Sequence, residues 1–563
     1  SYGDINAVKD GETFALVDKY IFLQIDGLFA GTSKLPDLLS LLDLCTIRQE
    51  GFWARHDEPI GSTWEAAKTG IQLLKSAQEI QTELQAASLT FQEQIERYAN
   101  FETGWYRFDQ SYRRWCEIRD SMDELPLENL ESAVEKAYSN ALYTMNWKLS
   151  ETLQERKKLP VSQEWQNCYP IQVLSNDEGP TAIFFVDALR YELGVDLFSR
   201  CAEGFSQRIE FRLAPLPSIT EVGMPYLLPG IPTLTLHPEK NSFYLTCGEA
   251  SFNVQNDRRK YLVARYGDEC VVSDLSGIVG IQMKSLKRKV QGKRWIFVMS
   301  RDIDSLGEEM EEIAINRFSP FLNDLKKAAS RLAKCGVRQI VFTSDHGFLY
   351  LQELSDDLKI QALPGKETIL ARRRLWAGKG ATEGNYLRFS GKDLGLDCDF
   401  MFAFPKGIAA FKTQGGATRY FHGGISFQEL VVPVIVLQPT ETLQRAPAKV
   451  LLQAPEVIHI PYFQVTLSLE RTLFADEKQV QRARCYGESE GNQVTRIQQA
   501  GDETVVGDKI EISDKETTLL MQLDNMSIKS FRLHVENPLT GENFIEPREI
   551  RVESQYDDFF ETK

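Results

Sequence analysis

Histidine is scarce in this chain, with six among 563 residues, so each one placed beside an acid carries information. No Cys-x-x-Cys occurs among the nine cysteines, which argues against a thiolate zinc site. Their odd number and scattered spacing suit reduced cytoplasmic thiols rather than a disulfide framework. No apolar run is long enough to span a bilayer, and no charged-then-apolar leader is present, so neither membrane insertion nor secretion is expected. The first residue is Ser1 rather than Met, as in a trimmed or partial sequence. A basic surplus is also missing. The net charge of −16 excludes general coating of nucleic acid, though not a local basic groove. The length exceeds what one hydrophobic core holds, and roughly two to four domains are expected.

Against this background one stretch stands out, Ile340-Val341-Phe342-Thr343-Ser344-Asp345-His346-Gly347. A β-branched and aromatic run reads as a buried strand. It ends on two metal-ligand side chains and a glycine that permits a sharp turn. Ala182–Val186 is a similar run ending at Asp187, and Trp295–Met299 is another, ending near Asp302 and Asp304. Strands alternating with helical patterns from about 178 to 440 predict a mostly parallel sheet with helices on both faces. Its carboxyl edge is where ligands bind in such sheets.

Residues 1–170 read as a helical domain. Ser62-Thr63-Trp64-Glu65 has the form of a capping box. Phe91, Ile95, Tyr98, Phe101, Trp105, Phe108, Tyr112, Trp115 and Met122 recur at helical spacing and predict one continuous packing face, broken at Pro126. A second helical pattern follows through Ala137, Tyr143 and Trp147. Residues 443–563 switch to period-two alternation, as in Val465/Leu467/Leu469, Leu519/Met521/Leu523 and Phe531/Leu533/Val535, with turn signals at Asn537-Pro538 and Thr540-Gly541. That predicts a β-sandwich, a structural or partner-binding module in which His459 and His534 are ordinary residues. Residues 171–442 between them hold the chemistry.

Asp187 opens a strand-to-helix corner, Asp187-Ala188-Leu189-Arg190-Tyr191-Glu192. Thr220, in Ser218-Ile219-Thr220-Glu221, is either a helix cap or a nucleophile activated by a metal. Asp304 and Glu308 stand four apart and share a helical face, suited to clasping one cation, although Glu309, Glu311 and Glu312 also make this an acidic surface run. His422 lies on the glycine-rich corner Phe421-His422-Gly423-Gly424-Ile425-Ser426, before the strand containing Pro433. Between Gly365 and Tyr420, Arg372, Arg373, Arg374 and Lys412 belong to a local basic surplus, and Trp376 adds an aromatic suited to base stacking. Lys284 to Arg294 is a second basic run, and either run can equally be a solvated loop.

Taken in order, Asp187, Thr220, Asp304, Asp345-His346 and His422 resemble the alkaline phosphatase superfamily, and specifically its PglZ branch, whose members are components of the bacterial BREX phage-defence system. The resemblance spans about 178 to 440. It implies an alkaline-phosphatase-like α/β core with two divalent metal ions, zinc and/or manganese. Asp187, Thr220, Asp345 and His346 would hold one, and Asp304, Glu308 and His422 the other. Glu308 stands where phosphodiesterase relatives typically carry histidine. The implied chemistry is in-line attack by Thr220 on phosphorus, forming a phospho-enzyme that water resolves. The implied substrate is a phosphodiester or nucleic acid, for which the basic surplus separately offers Arg372, Arg373, Arg374 and Lys412 as contacts, and the implied partners are other BREX proteins. The alternative is a scaffold that binds nucleotide or DNA within a defence complex without turning it over. A sulfatase is disfavoured, since no Cys-x-Pro-x-Arg is present.

Overall fold

A computed structural model describes residues 13–31, 35–122, 126–156, 179–231, 234–239, 242–252, 254–311, 314–361, 363–413, 419–440, 450–470, 480–500, 509–513, 515–538 and 541–553. The chain divides into two compact units. The first comprises residues 1–202, 207–325 and 337–438, so the helical segment and the α/β core are one body. The second comprises residues 203–206, 326–336 and 439–563.

Among the described residues the first unit begins with seven helices: α1 (Ala15–Gly27), α2 (Leu38–Gln49), α3 (Phe52–His56), α4 (Glu58–Ala86), α5 (Phe91–Ala99), α6 (Tyr106–Asp120) and α7 (Glu128–Arg156). The expected capping box at Ser62 is not one. Asp57 caps α4 through the amide of Ile60, and Ser62 lies a turn inside the helix. The box forms instead at Thr90 and Glu93, which bond reciprocally at the start of α5. The long aromatic face is likewise two helices rather than one. The chain turns between Ala99 and Tyr106, held by the Asn100 side chain accepting from Glu102 and Thr103 amides. Phe101 in that turn is exposed and Met122, past the end of α6, is half-buried, while the other seven residues of the face are buried, as periodicity alone cannot reveal.

The central sheet has six strands, β1 (Thr181–Val186), β2 (Phe205–Leu213), β3 (Cys270–Asp274), β4 (Trp295–Ser300), β5 (Gln339–Ser344) and β6 (Val431–Pro439), in the order β2-β6-β5-β1-β4-β3. β1, β4 and β5 are buried along their whole length, which is why they read as unbroken apolar runs. β3, β4, β1 and β5 are parallel neighbours. β6 runs antiparallel to β5, so the sheet is mixed. That reversal brings the start of β6 to the same edge as the ends of β1, β4 and β5. Val186 is in register with both Ser300 and Ser344, so the three parallel strands stop on one row.

Between β5 and β6 the alternating pattern fails. Glu367–Arg372, Leu375–Lys379, Met401–Pro405 and Tyr386–Ser390 form a small antiparallel sheet. Trp376 is fully buried in its core and donates to Thr368, which removes it as a stacking platform for a base.

Among its described residues the second unit has two sheets. One pairs Val450–Gln453, Tyr462–Leu469, Thr517–Leu523 and Thr495–Ala500, and the other is built around Val480–Ser489, Ser530–Glu536 and Arg548–Val552. Val465, Leu467, Leu519, Met521, Leu533 and Val535 from both sheets share one core, which accounts for their period-two spacing. His459 is half exposed and His534 stacks on Tyr486. Of the expected turn and acidic positions, Thr540 and Glu312 lie outside the described residues.

The helical layer meets the α/β core through buried polar groups. Asp109 of α6 is fully buried and accepts from Tyr98 (2.7 Å), Tyr138 (2.9 Å) and Gln428 (3.1 Å). Arg113 bonds Glu192 at 3.2 Å and Asp196 at 2.7 Å. Burial pushes the Asp109 carboxyl above its usual range, opposed by Arg190 and its three donors. Asp109→Ala strands all three donors in a dry interior and is expected to cost about 3 kcal/mol. Asp109→Asn, which keeps an acceptor, should cost less. Denaturant unfolding of the three proteins measures both, and an alanine variant as stable as wild type would show that Asp109 does not hold the two layers together.

Candidate metal centre

Asp187 follows the last residue of β1, and the turn after it is strained. Ala188 has φ of 60°, a left-handed conformation that a non-glycine residue adopts at a cost of about 1 kcal/mol or more. The turn is held by the amides of Ala188, on Asp345 Oδ1 at 3.3 Å, and Leu189, on Ser344 Oγ at 2.9 Å. The corners of β1 and β5 thus fix each other. Ser344 Oγ in turn donates to the His346 carbonyl at 2.7 Å.

His346 Nδ1 lies 3.0 Å from the Gly347 carbonyl, an acceptor only, so Nδ1 carries the proton. This leaves Nε2 facing Asp345 Oδ2 at 3.4 Å, Asp187 Oδ1 at 3.6 Å and the Thr220 hydroxyl at 3.1 Å. The hydroxyl also reaches Asp187 Oδ1 at 3.1 Å. Thr220 is the first residue of the helix Thr220–Tyr226, with Ile219 at the cap position, so its side chain is spent on this cluster and not on capping. Gly223 lets that helix approach: a Cβ there would stand 2.6 Å from the Asp345 backbone oxygen.

The second group lies one step along the edge. Asp304 is buried in the helix Asp302–Glu309, and Glu308 lies one turn on. Glu308 Oε1 is 3.5 Å from His422 Nε2, and the His422 ring stacks on that of His346 at 4.8 Å and 2°. Ligand atoms of Asp187, Asp304 and His346 lie within 4.8 Å of one another, as do those of Asp304, Glu308 and His422. Asp304 therefore belongs to both groups. Asp302 does not join them, since it accepts from Ser300 at 2.6 Å. The donors suit divalent cations: Asp187 Oδ2, Asp345 Oδ2 and His422 Nδ1 are buried without a hydrogen-bond partner, a costly state for two carboxylates unless positive charge arrives.

The electrostatics agree. Burial, then the Asp345 and Asp304 charges, hold the Asp187 carboxyl well above the usual range. Burial and Asp304 likewise push Asp345 up, against the pull of His346. Burial depresses His422, but the Glu308 bond and Asp304 outweigh it and raise its pKa. The His422 bond holds Glu308 below its usual value.

The four basic residues expected at the substrate have separate fates. Arg372 pairs with Glu221, beside Thr220, and is one-third exposed. Arg373 has its Nε buried without a partner. Arg374 is removed from the set. It is fully buried, bonds Glu429 at 2.8 Å and the carbonyls of Gly407 and Ala409, and so has no donor for a substrate. Glu429 accepts the Gly424 amide at 2.8 Å, so this pair fixes the corner carrying His422. Lys412 is exposed, in the field of Asp356. Periodicity missed Tyr420, which is fully buried and donates to Asp304 at 3.2 Å. It packs on the site of Gly307, where a Cβ would meet its ring at 2.3 Å. Also missed were Arg301, 3.9 Å from Asp187 Oδ2, and the buried Arg258. The signal available for Arg301 and Tyr420 was proximity in sequence to Asp304 and His422.

Residues 171–437 match the family described as the BREX system PglZ alkaline phosphatase-like domain. The chain is 26% identical over 388 residues to the alkaline phosphatase-like protein BrxZ of Escherichia coli, covering 62% of this chain and 43% of that protein. It is 23% identical over 449 residues to the alkaline phosphatase-like protein PglZ of Bacillus cereus, covering 76% of this chain and 50% of that protein. The chain thus spans half or less of the length of these relatives. Among solved structures, murine ectonucleotide pyrophosphatase/phosphodiesterase 5 aligns with a TM-score of 0.31 at 10% identity, covering 48% of this chain and 88% of that one.

In metal-stripped protein the Glu308–His422 pair contributes stability between about pH 4.5 and 6.5, the ordinary values of the two groups. The lowered Glu308 loses its share as pH falls through its folded value, and the raised His422 loses its share as pH rises through its own. A cation needs His422 deprotonated, so affinity at the Asp304 group should climb as pH rises towards the raised His422 value and level off above it. Carboxylate donors should favour manganese over zinc there, Glu308→His should shift preference towards zinc, and Glu308→Ala should weaken binding at this group while sparing the Asp187 group. Metal titrations of the three proteins across pH test this; identical curves would put Glu308 outside the centre.

Proposed function

We propose, since residues 171–437 belong to the PglZ family, that this chain is a metal-dependent phosphohydrolase with Thr220 as nucleophile. Its most fitting substrate is a phosphodiester, either a nucleotide ester or a nucleic acid, cleaved in the cytoplasm alongside other BREX proteins in defence against phage. The second unit, read as a β-sandwich, serves assembly rather than catalysis. One observation carries the reading: a threonine hydroxyl stands 3.1 Å from both Asp187 and His346, where two groups of candidate ligands share Asp304.

Asp187, Thr220, Asp345 and His346 would hold one divalent cation, and Asp304, Glu308 and His422 the other. When bound, such cations supply Lewis-acid stabilisation of phosphoryl oxygens and lower the pKa of the attacking hydroxyl. Thr220 Oγ1 is oriented by its two contacts and gives up its proton to solvent. It then attacks phosphorus in line, and the Oγ1–P bond forms as the bond to the leaving oxygen breaks. Water cleaves the phosphothreonine in the second half, returning the hydroxyl and releasing the phosphoryl product. Tyr420 keeps Asp304 oriented through its hydroxyl. The Arg374–Glu429 pair keeps the His422 corner in place.

Thr220→Ala should lower turnover on the order of a thousandfold or more while leaving the melting temperature nearly unchanged, because the side chain caps nothing. Retained turnover would end the nucleophile assignment. With the same metal loading, an aryl nucleotide diester should be turned over faster than a simple aryl monoester, and a clear monoester preference would overturn the diesterase assignment.

A further inference from the structure

We propose that Arg258 and Arg301 form an oxyanion subsite beside Thr220 that takes a phosphate group of the substrate. The identity of the anion rests on the phosphohydrolase reading above. The site itself rests on the charges and their burial.

Arg258 lies on the helix Gln255–Tyr266 and is only 6% exposed. Of the five other buried arginines among the described residues, four have a carboxylate: Arg48 has Asp18, Arg113 has Glu192 and Asp196, Arg190 has Glu192, and Arg374 has Glu429, while Arg331 is also engaged. Among the described residues nothing forms a hydrogen bond or ion pair with the Arg258 guanidinium. A buried cation left without a partner costs free energy that folding does not recover, unless a ligand supplies the partner. None of its nitrogens is sealed from solvent, so that partner has access.

Its position points the same way. Gln255, one turn earlier on the same helix face, lies 3.3 Å from Asp274 Oδ1 and 3.5 Å from Met299 Sδ, both at the carboxyl ends of their strands. Arg259 pairs with Asp274. The first turn of this helix therefore leans on the edge that carries the candidate ligands, with Arg259 neutralised and Arg258 not. Arg258 stands in the field of Asp187, Asp345 and Glu221, with Arg301 as a like-charged neighbour. Arg301 is half exposed and only 3.9 Å from Asp187, beyond hydrogen-bonding distance. Once cations neutralise Asp187 and Asp345, two guanidinium groups remain in excess on this side of Thr220. Guanidinium is the side chain best shaped for phosphate oxygens. On the opposite side Arg372 is already neutralised by Glu221.

The test is thermal melting of the full chain titrated with inorganic phosphate, for wild type, Arg258→Met, Arg258→Lys and Arg301→Ala. Phosphate should raise the melting temperature of wild type. Arg258→Met keeps the buried stem and should weaken phosphate binding about tenfold or more, with its unliganded melting temperature unchanged or higher. Arg258→Lys should fold normally and recover part of the phosphate response, and Arg301→Ala should show a smaller loss. No phosphate response in wild type, or an undiminished one in both Arg258 variants, overturns the subsite. The kinetic comparison then separates two sources of the same anion. An equal fall in kcat/KM on an aryl diester with one phosphorus and on a short oligonucleotide assigns the subsite to the phosphoryl group under attack. A fall confined to the oligonucleotide assigns it to a neighbouring phosphate. Phosphate binding needs no turnover, so failure of the Thr220 test and failure of this one are separate results.

Discussion

Three buried carboxylates crowd one edge of the central sheet, and the surrounding structure answers to their mutual repulsion. Asp187 and Asp345 are raised in pKa by burial and by each other or Asp304, and each retains an unpartnered oxygen. Removed from water, such a cluster is unstable unless it is protonated or holds cations. The neighbouring elements resist its relaxation. Ala188 keeps a strained backbone, Gly223 admits the Thr220 helix against Asp345, and Tyr420 pins Asp304. A site that only needed to be stable would replace these acids with apolar residues. Keeping them is a cost that a bound cation would offset.

The helical layer belongs to this arrangement. Asp109 and Asn146 both engage Gln428, and Asn146 also accepts from the Phe427 amide at 2.9 Å. Residues 427–429 connect the His422 corner to β6, and Glu192, held by Arg113, follows the Asp187 corner. Two corners that carry candidate ligands are thus braced by one layer of helices. Polar contacts of this kind fix orientation where apolar packing would allow sliding.

The charge distribution across the site is asymmetric. The Asp187 side combines three carboxylic or imidazole donors, a hydroxyl and two arginines. The Asp304 side has two carboxylates, one imidazole and an arginine already paired with Glu221. The second side, with more carboxylate than imidazole, has the donor set that suits a harder cation.

The strands β1, β4 and β5 and the acids at their ends were legible in the sequence, because a strand buried on both faces is an unbroken apolar run and its end is marked by the first polar residue. The period-two core of the second unit was legible for a related reason, the alternation of buried and exposed faces. Other features had no local signature. The reversal of β6, which brings His422 to the shared edge, depends on which strand Val431–Pro439 pairs with, and its composition does not record that. Arg374 reads like its neighbours Arg372 and Arg373, yet lies against Glu429, 55 residues away in sequence. The Ser62 cap lost to Asp57 because the helix begins a turn earlier than the hydroxyl suggests. Arg258 shows no sign in sequence that it would be buried without an acid. The sequence by itself determined which side chains are available at the strand ends, since strand termini are a local property of the chain. Only the tertiary structure decided which of them meet, because charge pairing and burial depend on distances between segments that are far apart along the chain.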